Sequence, residues 1–162
     1  MNLSVFRAIS LDTAIIVTDS SKRTLWRRLS EGKIARQEND GRSRAMLVFK
    51  DLLPMLCISI APEDHELFIN ADAGDAEAQN DLALLFLDSD RPDIALHWLQ
   101  LAVIQEHADA MHNLGNLYVK GIGVPKQENL ALMWLAKAAS FGHVIAEQQM
   151  AALIRTGKNK PF

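Results

Sequence analysis

The side chains with the clearest chemical pattern are the cations between residues 20 and 44. The stretch Ser20-Ser21-Lys22-Arg23-Thr24-Leu25-Trp26-Arg27-Arg28-Leu29-Ser30-Glu31-Gly32-Lys33-Ile34 opens on helix-capping residues and sets Leu25 and Leu29 four apart. It closes on glycine, so it reads as a short helix with a start signal, one buried stripe and a stop signal. Arg23 and Arg27 lie one turn apart on a face away from the leucines. Arginine and lysine neutralise phosphates and release counterions, and arginine also bonds guanine edges in a major groove. Lys22, Arg23 and Arg27 are therefore expected to face the major groove. Ser20, Ser21 and Thr24 are expected on phosphates through hydroxyls or backbone N–H groups. Arg28, Lys33 and Arg36 extend the same positive surface. Arg42 and Arg44 alternate along a strand, point the same way, and are expected to reach flanking backbone or minor groove. Trp26 fits core packing first and contact with the nucleic acid second. The same helix also fits docking on an acidic protein surface, or a solvated face with a structural role alone.

Other reactive types are poorly arranged. His97, His107, His112 and His143 are dispersed through helical segments, and His65 stands near a junction. Neither HExxH, paired cysteines nor a carboxylate–histidine cluster at ligand spacing is present, so neither a metal nor a cofactor is expected. The single cysteine, Cys57, lies in the apolar run 52–58 and is expected as a buried thiol. Gly121-Ile122-Gly123-Val124-Pro125 lacks the further glycine and Lys-Ser/Thr of a phosphate loop, and a helix–helix connection explains it better. The sequence is read as non-enzymatic.

The elements that would position the cations follow from local signals. The apolar run from Leu3 to Ile9 suits a short strand or a lead-in. Ser10 caps a helix through Val17, and Thr18-Asp19-Ser20 turns into the next helix. Residues 34–38 and 43–49 are strand-like, and Asn39-Asp40-Gly41 between them is a hairpin turn. Lys50-Asp51-Leu52-Leu53 opens a closing helix, with Asp51 as its cap and Pro54 in its first turn. Helix, turn, the basic helix, a polar hairpin and a short helix together resemble the winged helix-turn-helix of the MerR and excisionase type over residues 8–57. The pieces that carry the likeness are Arg23-Thr24-Leu25-Trp26-Arg27, Gly32-Lys33-Ile34 and Arg42-Ser43-Arg44. The resemblance implies binding of double-stranded DNA.

Charge divides the chain. Residues 1–60 carry +4 and residues 61–162 carry −7, which points to a different partner for each half. Ala61-Pro62-Glu63-Asp64 marks the junction, giving domains 1–60 and 61–162. The second is self-similar. Residues 75–86 align with 107–118 at a shift of 32, so that Ala76/Ala108, Ala78/Ala110, Leu82/Leu114 and Leu85/Leu117 coincide. Residues 95–102 align with 131–138 at a shift of 36. The difference falls in a loop, where insertion is cheap. Ala110 to Ala146 repeats the 36, so a third, truncated copy starts near His143, runs as one helix to about Ile154, and leaves 157–162 as a frayed tail. Two helices per copy make a short α-solenoid.

Ala-Asp-Ala-x-x-Asn-Leu-Gly-x-Leu-Tyr, Gly-Ile-Gly-Val, Ala-Leu-x-Trp-Leu-x-Lys-Ala-Ala and Phe141-Gly142-His143-x-x-Ala146 resemble the Sel1-like repeat, a relative of the tetratricopeptide repeat. That resemblance implies protein–protein interaction. Leu82, Leu85, Trp98, Leu101, Leu114, Leu117, Tyr118, Trp134 and Leu135 are assigned to the core of the stack. Two and a half repeats also fit a homodimer that buries an exposed end, and the acidic surface fits a basic partner.

The expected fold class is mainly α, a small winged helix-turn-helix head before a short α-solenoid. The N-terminus lacks the pattern of a signal peptide, and no apolar run reaches the ~18–20 residues of a bilayer span. A soluble, cytoplasmic protein without membrane contact is expected. The leading functional expectation is a DNA-binding transcription regulator whose repeats dimerise or take a protein signal. The rival is an adaptor whose two halves both bind proteins, as in a secretion or signalling assembly.

Overall fold

A computed structural model describes residues 7–38 and 41–158, and it is mainly helical. The chain forms two compact units, Met1–Gly74 and Asp75–Phe162. The expected hairpin turn at Asn39-Asp40, the apolar positions Leu3, Val5 and Phe6, and the last four residues of the tail lie outside the described residues.

In the first unit, strand β1 (Ala8–Ser10) pairs antiparallel with β3 (Met46–Val48), which also pairs with β2 (Arg36–Gln37), in the order β1-β3-β2. Ser10 ends β1 and caps α1 (Leu11–Val17), its hydroxyl accepting the Thr13 N–H at 3.2 Å. Leu11, Ala14 and Val17 of α1 are buried. Thr18 closes the helix by donating its hydroxyl to the Ala14 carbonyl at 2.6 Å. Asp19 takes a positive φ, one of the few residue types that tolerate it. Ser21 then caps α2 (Lys22–Ser30), which drives Leu25 fully into the core.

The chain passes from β3 directly into α3 (Phe49–Leu52), and a 3₁₀ turn over Leu53–Met55 absorbs Pro54. Asp51 does not cap this helix, because α3 starts at Phe49 and Val48 holds the cap position, three residues before Asp51. Its carboxylate instead accepts the Ala35 N–H at 2.9 Å and ties α3 to the start of β2. Cys57 is half-buried rather than buried, and its N–H donates to the Val17 carbonyl at 3.1 Å.

After a 3₁₀ turn at Pro62–Asp64 comes α4 (His65–Ala73), which packs against β1. Phe68 sets its ring 5.2 Å from that of Phe49, both fully buried. Asp72 is buried too. Its carboxylate accepts the Ser10 N–H at 3.1 Å, the Ser10 hydroxyl, and the Thr13 hydroxyl at 2.6 Å. Buried carboxylates persist only when paired and hydrogen-bonded, and this one fastens α4 to the β1–α1 corner. Residues 61–74, placed from sequence in the domain 61–162, thus fold with the first unit. The segment reads as repeat-like because it is helical and acidic, but its apolar residues meet β1 and Phe49.

The second unit contains α5 (Ala76–Asp88), α6 (Pro92–Ile104), α7 (Ala108–Lys120), α8 (Glu128–Ser140) and α9 (Val144–Lys158). Consecutive helices pack as antiparallel pairs, α5 on α6 and α7 on α8, with α9 against α8. Leu82, Trp98, Leu99, Leu114, Leu117 and Leu135 are buried, each worth about 1.5–3 kcal/mol of transfer from water. Leu85, Leu101, Tyr118 and Trp134 are half-buried. Small residues let the pairs close. Ala95, Ala102, Ala110, Ala138 and Ala146 are fully buried. A Cβ on Gly115 would lie 3.0 Å from Leu135 Cγ and 3.3 Å from the Ala131 carbonyl. The four-residue loop insertion has its own contact. Gly123 has φ +69°, and a Cβ there would sit 2.8 Å from Pro92 Cβ, so the second repeat's loop rests on the first turn of α6.

Candidate interaction surfaces

On α2 the capping serine and the cations are arranged by one rule, the helical period. Ser21 Oγ accepts the Thr24 N–H at 3.1 Å and lies 2.9 Å from Thr24 Oγ1, so both hydroxyls are engaged locally. Ser20 donates to the Thr18 carbonyl at 3.2 Å. Lys22, Arg23 and Arg27 are exposed, whereas Arg28 is half-buried with Nε shielded from solvent and without a hydrogen-bond partner. Trp26 does not enter the core. It is 41% exposed between Arg23 and Arg27, because Leu25 alone occupies the inward position of that turn.

The positive surface is tempered at its end. Glu31 accepts Lys33 at 2.7 Å and lies 3.9 Å from Arg27 Nε. The hydrogen bond and charge of Lys33, with Arg27 and Arg28 adding to it, hold the Glu31 carboxyl below its usual value.

Arg36 is exposed on β2. The two wing arginines take a different position from the one expected. Arg42 Nη2 donates to the Ala73 carbonyl at 3.2 Å, and Arg44 Nη1 donates to the Asp72 carbonyl at 3.1 Å and to its carboxylate at 3.2 Å. Both close the C-terminal end of α4, where cations meet unpaired carbonyls and the negative end of the helix dipole. The structure therefore gathers Ser20, Ser21, Lys22, Arg23, Thr24, Arg27 and Arg28 on one helix and its cap, and fastens Arg42 and Arg44 to another. With α4 included, the unit Met1–Gly74 has ten Lys and Arg against ten Asp and Glu. Its positive charge is thus a local property of α2 and the following turn rather than of the whole unit.

In the second unit the polar side chains form a ladder along the first helices of successive pairs. Asn113 of α7 donates to Asn80 Oδ1 of α5 at 2.9 Å, and Asn80 donates to Asp81 at 3.2 Å. Further along, His112 stacks on His143 with ring centroids 4.1 Å apart, and His143 Nε2 is 3.5 Å from Asp109. Burial, then the neighbouring His143, hold the His112 pKa below the ordinary histidine value, against smaller upward pulls from Gln149 and Asp109. Burial alone lowers His97.

Outside this ladder runs an acidic stripe. Glu77, Asp81, Leu84 and Asp88 are all exposed on α5 at spacings of four, three and four residues, which puts them on one face. Their equivalents on α7 are Asp109, Asn113, Asn116 and Lys120. Among the described residues no group of three or more His, Cys, Asp or Glu could hold a metal ion, and no helix is long and apolar enough to cross a membrane.

Comparison with known proteins bears on the helical stack. A family model described as Sel1 repeat matches residues 76–107 and 108–143. A solved Sel1 repeat protein from Oxalobacter formigenes is 32% identical, with a TM-score of 0.54, over 60% of this chain and 76% of that one. The chain belongs to the Sel1 repeat family. No curated protein matches it. The two Sel1 matches begin one residue after each first-helix cap is set, at Ala76 and Ala108, and the second ends at the next cap, His143. Sel1 repeats are protein-interaction modules, which gives the second unit its general role.

Two sets of residues escaped the reading of the sequence. His107 and His143 are helix caps, each Nδ1 accepting an N–H, from Ala110 at 3.3 Å and from Ala146 at 3.1 Å. The signal was available, since Asp75, His107 and His143 stand at equivalent places in the three copies and Asp75 caps α5 in the same manner. Asp72 had no such signal, because its partners lie 59 and 62 residues away.

Proposed function

We propose that this protein is a non-enzymatic adaptor whose Sel1 repeats hold a basic segment of a partner protein. The supporting observation is the exposed stripe Glu77, Asp81, Leu84 and Asp88 on α5, three carboxylates around one apolar anchor. Such spacing suits the i, i+4, i+7 contacts of an amphipathic helix that carries lysine or arginine. A photo-crosslinking residue placed at Leu84 in the full chain should capture a defined partner through a Lys- or Arg-rich segment. Asp81→Lys with Glu77→Lys should abolish that crosslink. Persistence of the crosslink in the double variant would assign the partner to another surface.

A second reading concerns the first unit. The order α1, turn, α2, then β2 and β3, supports a winged helix-turn-helix over residues 1–60, and exposed Lys22, Arg23 and Arg27 around Trp26 favour a polyanion on α2. In this reading double-stranded DNA meets Ser20, Ser21, Lys22, Arg23, Thr24, Arg27, Arg28, Lys33 and Arg36. Arg42 and Arg44 serve the α4 cap. The protein is then a transcription regulator, as a monomer or a homodimer. Binding to mixed duplex fragments should weaken steeply with salt. The slope should fall by about one unit for each phosphate-contacting cation removed. Binding that ignores salt, or Arg23→Ala with Arg27→Ala leaving it intact, would leave the adaptor reading alone.

A further inference from the structure

The first unit contains an open cavity of about 860 Å³ whose lining shares one residue, Arg36, with the cations of the polyanion reading. Its size falls within the ~300–1,000 Å³ range of small-molecule sites. Val48, Phe49 and Leu53 give it an apolar lining. Phe49 is held rigidly there, edge to face with His65 at 5.6 Å and against Phe68. Around these lie the cations Arg7, Arg36 and Lys50, with Asp51 as the one carboxylate. Asp51 is already committed to the Ala35 N–H, and Arg7 forms an ion pair with Glu66. Lys50 is exposed, and Arg36 is exposed on the edge strand. Gln37 also lines the cavity, and its Oε1 is shielded from water with no hydrogen-bond partner. A buried acceptor left unpaired is costly, and a ligand whose N–H or O–H group reached it would recover that cost.

We propose that this cavity binds a small organic anion, a carboxylate or phosphate carried on a flat apolar body with one hydrogen-bond donor. Lys50 and Arg36 take the anionic group, Val48 and Leu53 take the apolar body over the floor that buried Phe49 supports, and Gln37 takes the donor. The proposal is separate from the partner of the repeats and from the α2 cations, and it shares only Arg36 with the polyanion reading.

The test uses the full chain and amide chemical shifts of residues 35–53. Indole-3-acetate and phenyl phosphate are the anionic probes, indole and phenol their uncharged counterparts, and inorganic phosphate the control for charge alone. Millimolar or tighter binding of an anionic probe is expected, with shifts centred on Val48, Phe49 and Leu53. Its affinity should exceed that of its uncharged counterpart about tenfold, the worth of one charged hydrogen bond. Lys50→Gln with Arg36→Gln, both on exposed side chains, should remove that advantage. Lys22→Gln with Arg23→Gln should not. Three results would overturn the proposal: no cavity shifts at millimolar probe, equal affinity in the Lys50/Arg36 double variant, or inorganic phosphate binding as tightly as phenyl phosphate. A stronger response to carboxylate than to phosphate, or the reverse, identifies the anion.

Discussion

The two units hold themselves together in opposite ways. The first converges on one buried carboxylate, Asp72, which serves Ser10, Thr13 and Arg44 together. The second spreads its cohesion over small residues that recur along successive helices and over polar pairs that link one copy to the next. A hub concentrates risk, since one substitution leaves several buried groups unpaired. A repeat distributes it, since each contact has a counterpart in the neighbouring copy. The contrast also bears on evolution of binding surfaces. The second unit can vary its exposed positions without touching its cohesion, whereas the wing arginines of the first are spent on α4.

The sharpest way to break this comparison is Asp72→Ala. It strands two hydroxyls, one N–H and a guanidinium, and should cost about 3 kcal/mol. Denaturant unfolding should show loss of the first unit's transition, with the second unit's transition unmoved. Equal destabilisation of both would erase the distinction between hub and repeat. Gly115→Leu should follow, at about 1–3 kcal/mol of overpacking against Leu135 and Ala131. The same measurement should place that loss in the second unit only. Arg44→Ala should be milder, about 1–2 kcal/mol, because its guanidinium still reaches water. Arg23→Ala should leave stability within ~0.5 kcal/mol, as expected at an exposed position, so any change it makes belongs to binding.

The smallest effect is set by pH. His112 and His97 both have folded pKa values below the ordinary 6.5, chiefly through burial. The unfolded chain therefore takes up their protons first as pH falls. Their contribution to stability is complete above pH 6.5 and declines as pH drops toward the folded values, below which it changes no further. Thermal melting of the second unit should follow that course. His112→Gln should flatten part of it while leaving the His97 share in place.

How much of this was legible in the sequence depended on range. Period and caps are local, and they gave the repeat boundaries, Ser10 as a cap, a capping start for α2 near Ser20 and Ser21, and the pairing of Leu25 with the core. Trp26 was misassigned because helical period fixes direction but not which of two adjacent large residues turns inward. The boundary between units was read at residue 60, whereas the compact units divide after Gly74, since amphipathic α4 shows what it buries but not against which neighbour. Arg42 and Arg44 looked outward for the same reason. Their partners, the last carbonyls of α4, lie about thirty residues on, and no spacing rule spans that distance. The basic character of residues 1–60 was real, but the four acidic residues of 61–74 fold beside it and cancel it across the unit.

The seat of Gly123 against Pro92 has a consequence for how the stack comes apart. The inserted loop acts as a buckle that belongs to one copy and is fastened to the copy before it. Neither copy can melt without opening the clasp, so the two should lose structure as a single cooperative block. A version shortened to the first copy's connection would have every helix in place and would fray one pair at a time.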